Sequence, residues 1–284
     1  MSQAITLNGK TCLVTGANSG IGFVIARELA RLGGRVIVVC RDSAKGKDAV
    51  DQIKNVTKNQ TVELMIADLA SLSSVRKLVD DIKMTNERLH ILVNNAGLIL
   101  GKRTVTADGL ESTFQVNYLS HFLLTNLLLD VIKASAPSRI VNVTSSAHFG
   151  GRIDFEDLQE KNGYGAMKSY CQSKLAQVLF THELSEKLKG TGVTVNCVHP
   201  GAVRTRWGDE AGTLGIGIRM ARPFMMSPEK GAETPIYVAT SQELEGVSGK
   251  YFSKKKIEES SKESNNEEEA RKLWDVSLKL SGLD

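Results

Sequence analysis

Residues 11–22 read TCLVTGANSGIG: a strand-like run, Thr11–Thr15, leads straight into a turn with glycines at 16, 20 and 22. Ile21, Val24, Ile25, Leu29 and Leu32 then fall on one apolar stripe of a helix. Strand, glycine turn and helix start together make a site for a pyrophosphate. The first N–H groups of a helix have no partner inside it, and the helix dipole adds about half a positive charge there. Glycine lets the backbone come close to the phosphates. Gly16, Gly20, Ile21 and Gly22 supply main chain at this turn, and Asn18 and Ser19 supply further donors. The spacing is G-x3-G-x-G, not the G-x-G-x-x-G of the general dinucleotide fingerprint. On its own, the stretch fits either an anion site or a tight turn that tolerates glycine.

Working outward, short apolar runs alternate with helical patterns. The runs are Val36–Cys40, Val62–Ile66, His90–Val93, Ile140–Thr144, Thr194–Val198 and a weaker Gly249–Phe252. Most are apolar on both faces, as strands are when helices cover both sides of a parallel sheet. The expectation is an α/β, doubly wound, mainly parallel seven-stranded sheet in one domain spanning residues 1–284. Ser71–Ser74 caps one helix, and Leu110–Ile132 reads as a long apolar-rich one. Two segments fall outside the alternation. Residues 206–226 are rich in glycine, methionine and arginine, and residues 253–270 are polar enough to predict mobility. Beyond them, Leu273, Trp274, Ser277, Leu278 and Leu280 predict an amphipathic helix over 271–281 that docks on the core.

The 284 residues are 41% hydrophobic and 24% charged, which excludes a disordered chain. Thirty-six basic and 32 acidic residues, mixed along the chain, leave +4 and no clustered excess for nucleic acid. No apolar run approaches the roughly 20 residues of a membrane span, and Met1–Lys10 lacks a signal-peptide layout. A cytoplasmic protein is expected. Four cysteines, Cys12, Cys40, Cys171 and Cys197, form no CxxC pair and read as buried free thiols. The five histidines have no metal-ligand spacing, so no metal is expected. His90 and His199 read as strand-associated, His182 as helix surface, and His148 as a candidate to line a substrate cleft.

The second strand-like run ends in Cys40-Arg41-Asp42. A carboxylate at that strand end suits the ribose hydroxyl of NAD(H). Here cysteine takes the place expected for it, and the guanidinium of Arg41 suits the extra phosphate of NADP(H). NADP(H) is therefore favoured, with NAD(H) as the alternative through Asp42. Further along come Asn94-Asn95-Ala96-Gly97 after a strand, Ser145-Ser146 after another, and Tyr170-Cys171-Gln172-Ser173-Lys174 in a helix. Four-residue spacing puts phenol and ammonium on one helix face.

With TGANSGIG, this set resembles the short-chain dehydrogenase/reductase family over nearly the whole chain, in the family's order and close to its spacing. The resemblance implies a Rossmann-type fold and hydride transfer between a nicotinamide and a carbonyl carbon. It assigns Tyr170 as general acid/base, Lys174 as its tuner and ribose ligand, Ser145 as stabiliser of the substrate oxygen, and Asn117 as holder of a proton-relay water. A free phenol has a pKa of about 10, so a neighbouring cation is needed to favour phenolate. The family also implies cofactor contacts at Asp68 and Leu69, at Asn95, Ala96 and Gly97, and at Pro200, Gly201, Val203 and Thr205 of the PGAVRT segment. It makes residues 206–226 a substrate lid.

Finer texture resembles the retinol dehydrogenase-like branch: CRD, NVTSSAHFGG, YCQSKLAQVLF, HPGAVRT and SGKYFS. That implies an NADP(H)-dependent enzyme acting on an apolar or lipid-like alcohol or carbonyl. Many members carry an N-terminal anchor, whereas this sequence starts a few residues before its first strand, so soluble relatives are the nearer comparison. Alternatives are a protochlorophyllide reductase-like enzyme and a non-catalytic NADP(H) sensor. Relatives often pair through the helices containing Leu110–Ile132 and Tyr170–Leu188, so a homodimer or homotetramer is expected.

Overall fold

Among the described residues, one sheet of eight strands runs in the order β3-β2-β1-β4-β5-β6-β7-β8. The computed structural model describes residues 6–204 and 211–284. Along the chain come β1 (Thr11–Thr15), α1 (Gly20–Arg31), β2 (Arg35–Cys40), α2 (Ser43–Thr57), β3 (Val62–Ile66), α3 (Leu72–Thr85) and β4 (Ile91–Asn94). A one-turn α4 (Ser112–Phe114) leads by a π-helical turn into α5 (Ser120–Ala134), then β5 (Ser138–Val143), α6 (Ala166–Lys187) and β6 (Val193–His199). The rest holds α7 (Thr213–Ala221), α8 (Pro228–Thr240), β7 (Tyr251–Ser253), β8 (Lys256–Glu258) and α9 (Glu267–Ser281).

The first seven strands in chain order pair in parallel, as expected; β8 is an added antiparallel partner of β7. Alternation along each strand explains the two cores. Leu13, Ile37, Leu92 and Ile140 point to one face, with residues of α3, α5, α6 and α9. Cys12, Val14, Val36, Val38 and Val141 point to the other, with residues of α1, α2 and α8. Strand order reverses between β1 and β4, so connections leave their carboxyl ends on opposite sides. That leaves a crevice where ligands of such sheets bind.

Two parts of the fold differ from expectation. The first is the seven-strand count, since Lys256–Glu258 adds an eighth. It lies in the polar segment 253–270, which is folded onto the body instead of forming the mobile stretch expected. Ser261 and Ser264 are buried there, and the Ser264 hydroxyl donates to the Ser261 carbonyl at 2.7 Å. Serines that satisfy themselves and the backbone bury without apolar character, which composition does not register. The second is the continuous helix over Leu110–Ile132, which is interrupted by the π-helical turn Gln115–Leu119. The helix pair expected to join copies of the chain also meets α9 of its own chain. Trp274 of α9 packs on Phe122 of α5 and Phe180 of α6, with ring centroids 5.0 and 5.9 Å apart. Tyr118 and Ser277 share a hydrogen bond of 2.7 Å behind them. Much of that face is therefore covered from within.

Candidate active site

The glycine turn lies at the β1 end of the crevice. Gly16 and Gly20 have φ of +66° and +59°, a region that favours glycine. A Cβ on Gly16 would lie 2.9 Å from Ala96 Cα, and one on Gly22 would lie 2.4 Å from Asn95 Nδ2 and 2.5 Å from the Gly16 carbonyl oxygen. These glycines therefore admit the loop after β4. Ser19 is the N-cap of α1 but its side chain makes no capping bond. The helix start presents its N–H groups without a side-chain acceptor, which fits a pyrophosphate. Ile21 follows in the first turn, and Asn18 is partly exposed beside it.

Thr15 joins the turn to the loop after β4. Its hydroxyl oxygen accepts from Asn95 and Ala96 N–H at 2.9 and 3.0 Å. The Asn95 amide donates to the Thr15 carbonyl at 2.8 Å. The same Thr15 hydroxyl lies 2.9 Å from His121 Nε2, whose Nδ1 lies 3.0 Å from the Asn117 carbonyl. Only the Nδ1–H tautomer satisfies both ends: the imidazole donates to Asn117 and accepts from Thr15. Burial pushes the His121 pKa down to about 4, which keeps it neutral.

Tyr170 and Lys174 stand one turn apart on α6, both buried. Lys174 Nζ is 5.5 Å from the Tyr170 ring centre. Burial raises the Tyr170 pKa well above the ordinary phenol value, opposed by a hydrogen bond with the Ser145 side chain. Burial lowers Lys174 to about 7. Desolvation leads the upward shift at Tyr170, so Tyr170 is held as a neutral phenol near neutrality. Ser145, at the end of β5, also accepts from Ala147 N–H at 3.2 Å.

Asn117 lies in the π-helical turn with its side chain fully engaged. Its Oδ1 accepts from Leu98 N–H at 2.7 Å, while Nδ2 donates to the Leu98 carbonyl and Ser173 hydroxyl at 3.0 and 2.9 Å. Its carbonyl accepts from His121 and from Gln177 Nε2, the latter at 2.8 Å. The Asn117 carbonyl, where a relay water was expected, thus meets two protein donors. Gly97 passes close by, where a Cβ would lie 3.3 Å from Asn117 Oδ1 and 3.7 Å from Lys174 Nζ.

At the end of β2, Arg41 is exposed, whereas Asp42 is committed locally. Its carboxylate caps α2 by accepting from Lys45 N–H at 3.0 Å and pairs with Lys45 Nζ at 3.0 Å. Beyond β3, Asp68 Oδ1 accepts from Ala70 N–H at 2.9 Å, and the Leu69 carbonyl accepts from Ser120 at 2.6 Å. Pro200 and Gly201 follow β6, and Val203 bridges to Met226. Thr205 and the first residues of the 206–226 segment lie outside the described residues. The later part forms α7, and Ala211 packs with Ile99 and Tyr170.

Two histidines differ from expectation. His148 is fully buried rather than lining a cleft: its Nδ1 donates to the Ser145 carbonyl at 2.7 Å and its Nε2 accepts from Ser261 N–H at 3.1 Å. His182 is bonded to the Ser264 carbonyl at 2.8 Å, not left on a helix surface. Sequence reasoning missed His121 and Gln177. The signal available for Gln177 was its place three residues after Lys174, one turn along the same face.

The short chain dehydrogenase family model matches residues 10–214. Mouse retinol dehydrogenase 13 is 49% identical over 285 residues, covering 98% of this chain and 85% of the relative. Human retinol dehydrogenase 12 is 45% identical over 279 residues, covering 98% and 88%. A solved structure from Mycobacterium paratuberculosis superposes with a TM-score of 0.81 at 32% identity, covering 99% of this chain and 96% of that one. The Pseudomonas aeruginosa RhlG/NADP active-site complex gives 0.70 at 26%, covering 89% and 97%. The chain belongs to the short chain dehydrogenase family of oxidoreductases, in its retinol dehydrogenase-like branch.

Proposed function

We propose that this oxidoreductase interconverts an alcohol and an aldehyde or ketone with NADP(H), acting on an apolar, lipid-like substrate. The reading is carried by the buried Tyr170 phenol, hydrogen-bonded by Ser145 and one turn from Lys174. When bound, the nicotinamide supplies or accepts the hydride. As the neutral phenol Tyr170 donates its proton to the substrate oxygen during reduction, and as the phenolate it takes the alcohol proton during oxidation. Ser145 donates a hydrogen bond to that oxygen as charge develops. Lys174 stabilises the phenolate left after proton donation.

The α1 start and glycine turn, with Asn18 and Ser19, would hold the pyrophosphate. Asn95, Ala96 and Gly97 would flank the ribose and nicotinamide, with Lys174 on the ribose. Asp68 and Leu69 would stand near the adenine, and Pro200, Gly201, Val203 and Thr205 near the carboxamide and phosphates. Arg41 would read the ribose phosphate; in support, the Asp42 carboxylate that suits NAD(H) is held by Lys45. An apolar substrate is supported by Ile99 and Ala211 around Tyr170, by exposed Phe149, Met167, Ile216 and Met220, and by the relatives' retinol dehydrogenase names.

The test is a steady-state panel of aldehydes, ketones and alcohols with both cofactors, followed at the nicotinamide absorbance. NADPH-dependent reduction of apolar aldehydes, with NADH weaker, is expected. NADPH binding without turnover of any panel member would instead favour the sensor.

A further inference from the structure

We propose that Gln177 is a positioning residue for Lys174: its carboxamide stands between the lysine ammonium and the Asn117 carbonyl and fixes the charge state of the lysine. The kinetic part of this inference rests on the functional reading above.

Gln177 Oε1 accepts from Lys174 Nζ at 2.9 Å, and its Nε2 donates to the Asn117 carbonyl at 2.8 Å. All three residues are buried, at 2%, 4% and 0% exposure, so water does not substitute freely for either contact. The sense of the amide follows from chemistry. Reversed, it would set NH2 against the ammonium and oxygen against the carbonyl, two repulsive contacts. His121 Nδ1–H occupies the other acceptor position of the Asn117 carbonyl at 3.0 Å, and Lys174 gives another hydrogen to the Val143 carbonyl at 3.1 Å.

A buried ammonium keeps its proton only where acceptors meet its hydrogens. Lys174 has two such acceptors among the described residues, and Gln177 is the one carried by a replaceable side chain. The titratable groups facing it are Tyr170 on its own helix, His121 on α5 and His199 at the end of β6. Burial holds both histidines below their ordinary values, so neither shares the charge of Lys174 near neutrality. A carboxamide does not pick up and pass on a proton as water does. The link from Lys174 through Gln177 to Asn117 is thus a fixed strut.

The experiment compares wild type with Gln177→Leu, which removes the acceptor, and the near-isosteric Gln177→Glu, which makes it anionic. In the pH profile of kcat, the limb on which Lys174 loses its proton moves down by about one pH unit or more for Leu and up for Glu. That is the size expected of changing a hydrogen bond to a charged donor. A merely structural role lowers the amplitude and leaves the limb in place, which would overturn the proposal. An activity-free readout is the melting temperature against pH without cofactor. Between the native pKa of Lys174 and about 10.4, the unfolded chain holds a proton the folded chain lacks, so stability rises with pH. The onset of that rise moves down in Gln177→Leu, and the Lys174-dependent rise is lost in Lys174→Met. An unmoved onset sinks the proposal even if every variant is active. If wild type turns over no carbonyl, the functional reading falls, and the onset alone decides the role of Gln177.

Discussion

Gly101 and Gly212 meet backbone to backbone: a Cβ on Gly101 would lie 2.5 Å from the Gly212 nitrogen. The contact seats the start of α7 on the loop after β4 and brings Ala211 into the apolar cluster with Ile99 and Tyr170. Backbone cannot swing aside as a flexible side chain can. Gly101→Val should therefore lift α7, raising KM for apolar substrates about tenfold, the cost of roughly one to two lost apolar groups. Affinity for NADPH, measured by fluorescence titration, should change far less. An unaltered KM would separate α7 from the substrate site.

Removing the Tyr170 hydroxyl takes away the proposed proton donor while leaving the ring in its cluster. Tyr170→Phe should lower kcat by about 10²–10⁴-fold with the dissociation constant for NADPH nearly unchanged. Turnover within severalfold of wild type would assign the proton transfer elsewhere.

Arg41 is exposed and Asp42 is bound to Lys45. Arg41→Ala should raise KM for NADPH by about 10–100-fold, the worth of a charge-assisted contact, and leave KM for NADH within about twofold. Equal losses with both cofactors would remove Arg41 as the reader of the ribose phosphate.

Acid should loosen the protein from behind Ser145. Burial depresses the pKa of His148, His182 and His199, and takes His90 and His121 to about 4. As pH falls below about 6.5, the unfolded chain takes up protons first, so stability is full above that value and declines toward pH 4. Protonated His148 would oppose a hydrogen to Ser261 N–H, where it now accepts at 3.1 Å. Melting temperatures from pH 7.5 to 4.5 should fall. His148→Gln should be less stable by about 1 kcal/mol at pH 7.5, yet lose less on acidification. An unchanged acid slope would exclude His148 as a contributor.

What the sequence made legible was local. Tyr170 and Lys174 share a helix face because four residues nearly complete a turn, and the glycine turn is continuous with its strand and helix. Chain distance hid the rest. The contact between Gln177 and Asn117 spans 60 residues and that between Thr15 and His121 spans 106, so no spacing rule joins them. Asn117 was found, but the partners of its carbonyl were not. Whether a carbonyl is free for water depends on which distant donors reach it. The buried serines 261 and 264 counted as polar in composition, although folding satisfies them with one another and with the backbone.

The π-helical turn at Gln115–Leu119 sets a limit on how this chain can be altered. Deleting one residue there would let an ordinary helix run through, an idealisation that gains local regularity. Everything beyond the deletion would then rotate by about 100° relative to what precedes it. Phe122 would lose its place against Trp274, and His121 would turn away from Thr15. Insertions and deletions in this stretch are thus far less tolerable than point changes. A redesign that scores helices by their smoothness would remove the irregularity that gives the site its geometry.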